Sequence, residues 1–448
     1  MKSLAIFFVL FASSASANEP YWPEFRGPTG QGIAADESTP LTWSETENVR
    51  FKTAIPGRGW SSPVVLGNHI WMTTAVETPG DPTELQEAAK QHKSIGSDLE
   101  LSGRLSLRAV CVDRQTGELL HNVELIEVAQ PKAIHSLNSY ASPTPVIEPG
   151  RLYCHFGRYG TVCLNTEDLS ILWKKAFEIE HFVGPGSSPV VCDDLLILTC
   201  DGADKQFIVA VDKLSGEIAW NVDRPPIRDQ EPDFRKSYCT PLVIDHHGKK
   251  QIVITGAQWF VSYAPKDGSE IWRVDHGHGF SVVPRPVADE QTIYCPSGFT
   301  GKGIFAIRTD GQGDVTDSHV LWKNQRKAPT QSSPLLHNDR IYTVTDMGVA
   351  QCLSAETGEP LWSKRLGGGY SASPLLVGDA IYFFSREGET TVFSTENKPK
   401  VLARNQLDGQ HMASPAVAEG ELIVRTDTHL YAIHEVKAGQ TEKAAIPQ

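Results

Sequence analysis

Residues 61–65 read SSPVV, the same five letters return at 187–191, and the near copy SSPLL stands at 332–336. Aligning the chain on this Ser-Pro pair finds eight copies, which after the first follow one another at roughly 40–50 residues, the period of propeller blades. The pairs are Ser62-Pro63, Ser142-Pro143, Ser188-Pro189, Thr240-Pro241, Arg285-Pro286, Ser333-Pro334, Ser373-Pro374 and Ser414-Pro415. Such a period predicts one repeat architecture instead of several unrelated domains.

Each copy continues with short apolar strands, and its most informative part is a glycine turn followed by tryptophan. VDKLSGEIAW, YAPKDGSEIW and LSAETGEPLW share one spacing, with Gly216, Gly268 and Gly358 in the turn, where glycine tolerates a positive φ. We expect the large side chain after the turn to wedge between neighbouring blades. This slot holds Trp173, Trp220, Trp272, Trp322 and Trp362, with His121 in the first copy and Leu402 in the seventh.

The eighth copy ends after three strands, and the missing fourth is found near the other end of the chain. ENVRFKTAIPG at 47–57 resembles the tryptophan strand, with Phe51 in the tryptophan slot. Pairing the two ends removes the free sheet edges of an open ring. The sequence therefore predicts an all-β fold, a single eight-bladed β-propeller of four-stranded blades, closed by an N-terminal strand that completes the last blade.

Residues 1–17, MKSLAIFFVLFASSASA, match an export signal with a basic start, an apolar run and a small-residue cleavage site. We expect the propeller over 18–436, with a helical insertion at 77–104 in the first blade and a flexible tail at 437–448. The apolar run is too short to span a bilayer. The first cysteine is Cys111, so none at the cleavage point carries a lipid anchor. We expect the protein in the periplasm or outside the cell.

The formal net charge of −13 bears on the class of partner. Nucleic-acid-binding proteins need a basic surface, so this balance argues against a nucleic-acid partner. We expect a small molecule or a protein to bind on the loop face.

Two further stretches carry a family resemblance. YWPEFRGPTGQG at 21–32 and HSLNSYASPTPV at 135–146, together with the repeat, resemble the exported bacterial PQQ-like β-propeller repeat proteins. The resemblance covers nearly the whole chain after the leader. That superfamily includes quinoprotein alcohol dehydrogenases and an outer-membrane assembly lipoprotein, so the resemblance implies the fold while leaving catalyst, binding module and scaffold open.

One departure from the repeat points to a candidate site. The residue before proline is Ser or Thr in seven copies and Arg285 in the fifth. A guanidinium among hydroxyls near the axis suits an anion or a polyol, and the alternative is that Arg285 pairs with a carboxylate and fills the channel. Nearby linkers supply aromatic and polar side chains of the kind that form ligand sites. These candidate ligand-binding residues are Arg58, Trp60, Asn138, Tyr140, Lys236, Tyr238, Gln331, Tyr370 and His411.

The insertion in the first copy contains GDPTELQEAAKQHKSIG, in which Asp81 and Pro82 suit the start of a helix and Gly96 its end. It falls in a loop on the face that we assign to Arg285. We expect a lid, a partner surface or a surface ornament there.

Motifs for other chemistry do not appear. The 15 histidines form no HExxH and no zinc spacing, and no G-x-S-x-G occurs, so we expect no metal site and assign no catalytic residue.

Cys111, Cys163 and Cys352 fall in one repeat slot, which Ala210 fills in another copy. Cys154 and Cys163 flank FGRYG, which leaves a disulfide across that hairpin open.

Three functions remain. The leading hypothesis is a non-catalytic exported propeller that binds a ligand or a partner on the face carrying Arg285. The first alternative is an oxidoreductase of small alcohols or sugars that uses PQQ and calcium over the axis, with an Asp as general base. The second is a scaffold in outer-membrane protein assembly.

Overall fold

The computed structural model describes residues 19–35, 37–83, 86–87, 98–301, 303–326 and 328–435. In that part of the chain, eight antiparallel meanders of four strands form the blades, and three of these sheets gain a short fifth strand at an edge. The eight-bladed propeller predicted from the repeat is confirmed. The expected export signal at 1–17, the tail at 437–448 and most of the helix expected in the insertion lie outside the described residues.

The strands follow the order of the repeat copies. Before the first blade come β1 (Tyr21–Trp22), β2 (Ile33–Ala34) and β3 (Val49–Ala54). Blade 1 has β4 (Val64–Leu66), β5 (His69–Thr78), β7 (Arg104–Asp113) and β8 (Leu119–Val128), while β6 (Leu99–Glu100) pairs with β9 (Ile134–His135). Blade 2 has β10 (Val146–Glu148), β11 (Arg151–His155), β12 (Thr161–Asn165) and β13 (Ile171–Lys175). Blade 3 has β14 (Val190–Cys192), β15 (Leu195–Asp201), β16 (Gln206–Asp212) and β17 (Ile218–Asp223).

The second half of the ring repeats the pattern. Blade 4 has β18 (Leu242–His246), β19 (Lys249–Thr255), β20 (Trp259–Tyr263) and β21 (Glu270–Asp275). Blade 5 has β22 (Val287–Ala288), β23 (Thr292–Pro296), β24 (Ile304–Arg308) and β26 (Val320–Asn324), while β25 (Gly313–Asp314) pairs with β21. Blade 6 has β27 (Leu335–His337), β28 (Arg340–Val344), β29 (Val349–Ser354) and β30 (Pro360–Arg365). Blade 7 has β31 (Leu375–Val377), β32 (Ala380–Phe384), β33 (Glu389–Ser394) and β34 (Val401–Gln406). Blade 8 has β35 (Ala416–Ala418), β36 (Glu421–Arg425) and β37 (His429–Ile433), and short 3-10 helices lie at Gly157–Tyr159 and Pro232–Phe234.

The ring closes between the N-terminal segment and the last blade. Strand β3 is hydrogen-bonded antiparallel to β37 and forms the outermost strand of blade 8. Phe51 lies opposite Ala432, the position that pairs with tryptophan in other blades. This is the closure that the sequence predicts.

Neighbouring blades are joined by the tryptophan that follows each glycine turn. Trp220 pairs with Ala210 in its own blade, and its ring lies against Gly268 of the next blade, where a Cβ atom would stand 2.6 Å from the ring. Its Nε1 donates a hydrogen bond to the carbonyl of Pro265 at 2.8 Å. The glycine therefore serves twice, since it adopts φ of +72° and leaves room for the indole.

The same contact recurs at two further joints of the ring. Trp173 lies against Gly216 and donates to Lys213 O at 3.0 Å. Trp322 lies against Gly358 and donates to a backbone carbonyl at 2.8 Å. At the closure, Phe51 packs on the glycine turn of blade 1, so the blade contact continues across the joint between the chain ends.

One repeat start is wrong in the sequence alignment. Val146 of blade 2 pairs with Tyr153 in the way that Val190 of blade 3 pairs with Ile197. The residues equivalent to Ser188-Pro189 are therefore Thr144-Pro145 and not Ser142-Pro143. The stretch SPTP offers two candidate pairs two residues apart, and only the strand pairing selects between them.

The tryptophan slot of the seventh copy is also displaced by one residue. Val392 pairs with Ala403, so Ala403 fills the slot expected for Leu402, whose side chain is exposed. A one-residue shift in a strand turns a side chain to the opposite face.

The hairpin disulfide considered from the sequence is not formed. Cys163 lies opposite Tyr153, whereas Cys154 lies opposite Val162, so the two thiols point to opposite faces of the sheet. All eight cysteines are buried and free. No helix in the described residues is long and apolar enough to cross a membrane.

Two glycines allow the blade contact to be tested apart from backbone strain. Gly268 and Gly248 have φ of +72° and +78°, but a Cβ at Gly248 would meet nothing within 4 Å. We expect each Gly→Ala change to cost about 1 kcal/mol of folding free energy through strain, and Gly268→Ala to cost about 2 kcal/mol more because Trp220 must move. Urea unfolding of both variants checks this, and equal losses would mean that the indole contact does not stabilise the ring.

Candidate functional site

A cavity of about 600 Å³ opens at one end of the central channel, on the face formed by the blade linkers. Each blade contributes one wall residue, which lies two positions before the residue that precedes the inner-strand proline. These eight residues are Trp60, Ser142, Gly186, Tyr238, Val283, Gln331, Ser371 and Met412. This circle of wall residues is therefore a direct product of the repeat.

Beneath this wall, the residues that precede the inner-strand prolines form a circle around the axis, here called the axial ring. They are Ser62, Thr144, Ser188, Thr240, Arg285, Ser333, Ser373 and Ser414. The backbone N–H of one ring residue donates to the side-chain hydroxyl of the next, so adjacent blades are joined at the channel as well. The donor and acceptor pairs are Ser62 to Thr144 (2.9 Å), Thr144 to Ser188 (2.9 Å), Ser188 to Thr240 (3.0 Å), Arg285 to Ser333 (3.0 Å), Ser333 to Ser373 (3.0 Å) and Ser373 to Ser414 (2.9 Å). The pattern stops after Thr240, because the next ring residue is Arg285, whose side chain has no hydroxyl to accept the Thr240 N–H.

The N-terminal segment 21–34, here called the plug, crosses the channel. Strand β1 adds to the inner strand of blade 1, and β2 adds in parallel to the inner strand of blade 7. Between them, Gln31 accepts a hydrogen bond from the N–H of Ala288 in blade 5 at 2.8 Å. Phe25 lines the cavity, so the plug provides its floor.

Arg285 is bound by the plug and does not line the cavity. Its Nη1 donates to Glu24 Oε1 at 2.9 Å and to Phe25 O at 2.7 Å, and its Nε donates to Pro241 O at 2.9 Å. The side chain is only 1% exposed. Burial raises the pKa of Glu24, and the adjacent guanidinium opposes that rise. The pairing with a carboxylate considered from the sequence is present, and it ties the plug to blade 5.

The other candidate residues divide into two groups. Trp60, Asn138, Lys236, Tyr238 and Gln331 line the cavity.

The remaining candidates lie behind the wall. Arg58 forms ion pairs with Glu77 at 2.8 Å and with Glu100 at 2.6 Å. The strand pairing of blade 2 places Ser142, and not Tyr140, at the wall position. The Tyr140 hydroxyl instead donates a hydrogen bond to a backbone carbonyl at 2.8 Å. Tyr370 and His411 are buried.

One side of the cavity is aromatic. Phe234 and Phe280 have ring centroids 4.6 Å apart, and Phe299 stands 6.3 Å from Phe280. None of these was a candidate from the sequence. They lie in linkers and in one hairpin loop, where the repeat pattern gives no signal, although Phe234 in DFRK at 233–236 and Phe280 after HGHG are apolar residues in otherwise polar segments.

Lys236 and Asp233 lie on the same side and are the two formally charged residues among the described wall residues. The ammonium is hydrogen-bonded to the carboxylate and lies 5.5 Å from the centre of the Phe182 ring. Burial lowers the pKa of Lys236, and Asp233 opposes that shift. The pair brings two opposite charges to the cavity wall.

The insertion begins on the face of the cavity. Its strand β6 pairs with β9, and His135 of β9 lines the cavity. Arg58 forms ion pairs with both Glu77 and Glu100, which belong to the first and last parts of the insertion. Thr83 N donates to Asp81 Oδ1 at 2.8 Å, while the rest of the expected helix falls on residues 84–85 and 88–97, outside the described chain.

The cavity wall does not fit a calcium-bound quinone cofactor. Calcium requires six to eight oxygen ligands, carboxylates prominent among them. The one carboxylate on the described wall, Asp233, is engaged by Lys236, and the Asn138 side-chain oxygen accepts from Ser142 at 2.6 Å. In the described part of the chain, no three His, Cys, Asp or Glu residues are grouped so as to hold a metal ion.

Comparisons with known proteins agree on the fold. A family model described as "Outer membrane protein assembly factor BamB" matches residues 106–294 and 257–401. The crystal structure of BamB from Moraxella catarrhalis superposes with a TM-score of 0.53 at 12% identity, over 75% of this chain and 99% of that chain. A europium-containing methanol dehydrogenase superposes with a TM-score of 0.61 at 10% identity, over 92% of this chain and 90% of that chain. No curated protein matches the sequence significantly.

His411 supplies a test of burial behind the cavity. Burial lowers its pKa to about 4, and neither ring nitrogen has a partner among the described residues. Its folded pKa lies below the unfolded value, so its contribution to stability is complete above about pH 6.5 and declines as the pH falls toward about 4.

We expect the wild type to lose about 2 kcal/mol more folding free energy than His411→Met between about pH 7 and about pH 4.5. Urea unfolding at the two pH values measures this. The exposed His69, changed to Met, is the control and should keep the wild-type pH dependence. Parallel pH dependence of wild type and His411→Met would contradict the assignment.

Proposed function

Because the chain belongs to the PQQ-like propeller family whose model is described as outer membrane protein assembly factor BamB, we propose that it is a binding module that takes a small ligand in the axial cavity. The observation that carries this proposal is the wall itself, to which all eight blades contribute one residue. The plug closes the other end through Phe25, so a ligand would enter from the linker face. We further propose that the protein acts in the periplasm or outside the cell, on the strength of the leader-like residues 1–17.

The composition of the wall supports binding. Ligand cavities are concave and mostly apolar, with a few polar groups that fix orientation. Here Trp60, Phe25 and Phe280 provide flat apolar surface, and Gln331 and the axial ring provide hydrogen-bonding groups. The hydrogen bonds between ring residues hold these groups in place before a ligand arrives, which reduces the entropy that binding costs.

Two other functions have specific support. The fold likeness to a methanol dehydrogenase favours an oxidoreductase, although the donor set of the wall speaks against calcium. PQQ and calcium added to the protein should then produce cofactor absorbance and dye-linked alcohol oxidation, and no bound cofactor would exclude this function. The family description favours a scaffold in outer-membrane protein assembly, for which co-purification with membrane β-barrels is the test.

Filling the cavity tests the binding role. Val283 lines the cavity, whereas Val401 is 50% exposed on the outer strand of blade 7. We expect Val283→Trp to weaken binding of the uncharged dye Nile red by about tenfold or more, because the indole would occupy the ligand volume, and Val401→Trp to leave it unchanged. Dye fluorescence titration measures both. Equal affinities in the two variants would place the binding elsewhere and overturn the proposal.

A further inference from the structure

The axial ring presents hydrogen-bond donors to the cavity. Five of its members line the cavity, and each uses an oxygen lone pair to accept the N–H of the preceding blade. Within the described residues, no acceptor is recorded for the O–H of any of the five. They are Thr144, Ser188, Thr240, Ser373 and Ser414. A hydroxyl that accepts one hydrogen bond still has its own hydrogen to donate.

The upper wall adds two further hydrogen-bond donors without acceptors among the described residues. The side-chain oxygen of Gln331 accepts from Ser371 at 2.6 Å and from Arg386 at 3.1 Å, which leaves its amide nitrogen as the free end. The indole nitrogen of Trp60 has no acceptor in the described part of the chain. Buried donors without partners are costly, so a ligand that brings acceptor oxygens gains more here than one that brings donors.

The charges of the wall cancel. Lys236 and Asp233 neutralise one another, and partial burial lowers the pKa of His135, which disfavours its charged form. Beyond the wall, Glu24 engages Arg285, and Arg26 is enclosed within the plug at 2% exposure. The protein as a whole carries a formal net charge of −13. An anion would therefore lose its hydration without gaining a free cation on the wall.

The shape of the remaining surface is set by aromatic rings. Phe25 forms the floor, Phe234 and Phe280 form one side, and Trp60 stands on blade 1. Aromatic faces bind flat apolar molecules through burial of area and offset stacking.

From these three features we infer that the axial cavity takes an uncharged, flat, apolar molecule that carries a carbonyl oxygen. The ring hydroxyls and the Gln331 amide bind the carbonyl, the aromatic side chains bind the flat body, and the Lys236–Asp233 pair selects against anions. The inference rests on the proposed function and names the ligand class of the same cavity.

Three naphthalene probes of similar size separate the two requirements. For the wild-type protein we expect 2-acetylnaphthalene to bind about fivefold more tightly than 2-ethylnaphthalene, since it adds one hydrogen bond, and about tenfold or more tightly than 2-naphthoate, which brings a charge. Titration calorimetry on the full chain measures the three affinities. Tightest binding of 2-naphthoate, or equal binding of the acetyl and ethyl compounds, overturns the inference and leaves the cavity as the binding site.

Unbalancing the wall charge sharpens the test. Asp233→Asn leaves the lysine charge without its carboxylate, so affinity for 2-naphthoate should rise about tenfold while affinity for 2-acetylnaphthalene changes less than about threefold. Asp193→Asn, which breaks the exposed Lys250–Asp193 ion pair, is the matched control and should change neither. An unchanged affinity for 2-naphthoate in folded Asp233→Asn overturns the role of the pair.

Failure of the ligand class and failure of the cavity give different results. If none of the three probes binds while Nile red still distinguishes Val283→Trp from Val401→Trp, the inferred ligand class is wrong and the proposed binding function stands. If Nile red does not distinguish those variants either, the proposed function falls with it.

Discussion

The structure depends on the contact between the indole of one blade and the glycine turn of the next. A blade is a small sheet that cannot bury both of its faces alone, and stability arises where neighbouring sheets meet. Trp220 shows how one residue joins two blades: it packs on Gly268 and hydrogen-bonds the adjacent carbonyl of Pro265. Phe51 places the same kind of contact at the joint between the chain ends. The ring is thereby closed without a free edge strand between its first and last blades.

A second set of contacts joins the blades at the axis, and this set also shapes the cavity. The hydroxyl of Ser188 accepts the N–H of Thr144, and similar bonds link most of the axial ring. The same strand starts hold the residues that line the cavity two positions earlier. Blade packing and cavity geometry are consequently coupled, because a blade that shifted would move both its ring hydroxyl and its wall residue.

The plug gives the cavity its floor and is held by strand pairing with blades 1 and 7 and by the ion pair of Glu24 with Arg285. Arg285 replaces a hydroxyl, interrupts the ring pattern, and binds Glu24 and the backbone of Phe25. A substitution that looks like a ligand-binding device in the sequence thus fixes a segment of the same chain across the channel. The consequence is a cavity with Phe25 at its floor and, among the described residues, a wall whose two charged side chains neutralise one another.

Sequence patterns alone predict the fold class, the number of blades, the closure by Phe51 and several wall residues, including Trp60, Tyr238 and Gln331, because each follows from a repeated spacing. They misplace Tyr140 by two residues, since SPTP offers two equivalent pairs and only the strand pairing of Val146 distinguishes them. Phe25, Phe280 and Phe299 came from the tertiary structure alone. They lie in the plug, a linker and a hairpin loop, segments free of the repeat, and converge because ring closure brings distant parts of the chain to one axis. Local patterns encode which elements form, whereas the partner of Arg285 and the chemistry of the cavity depend on contacts between residues more than 250 positions apart, such as Arg285 and Glu24.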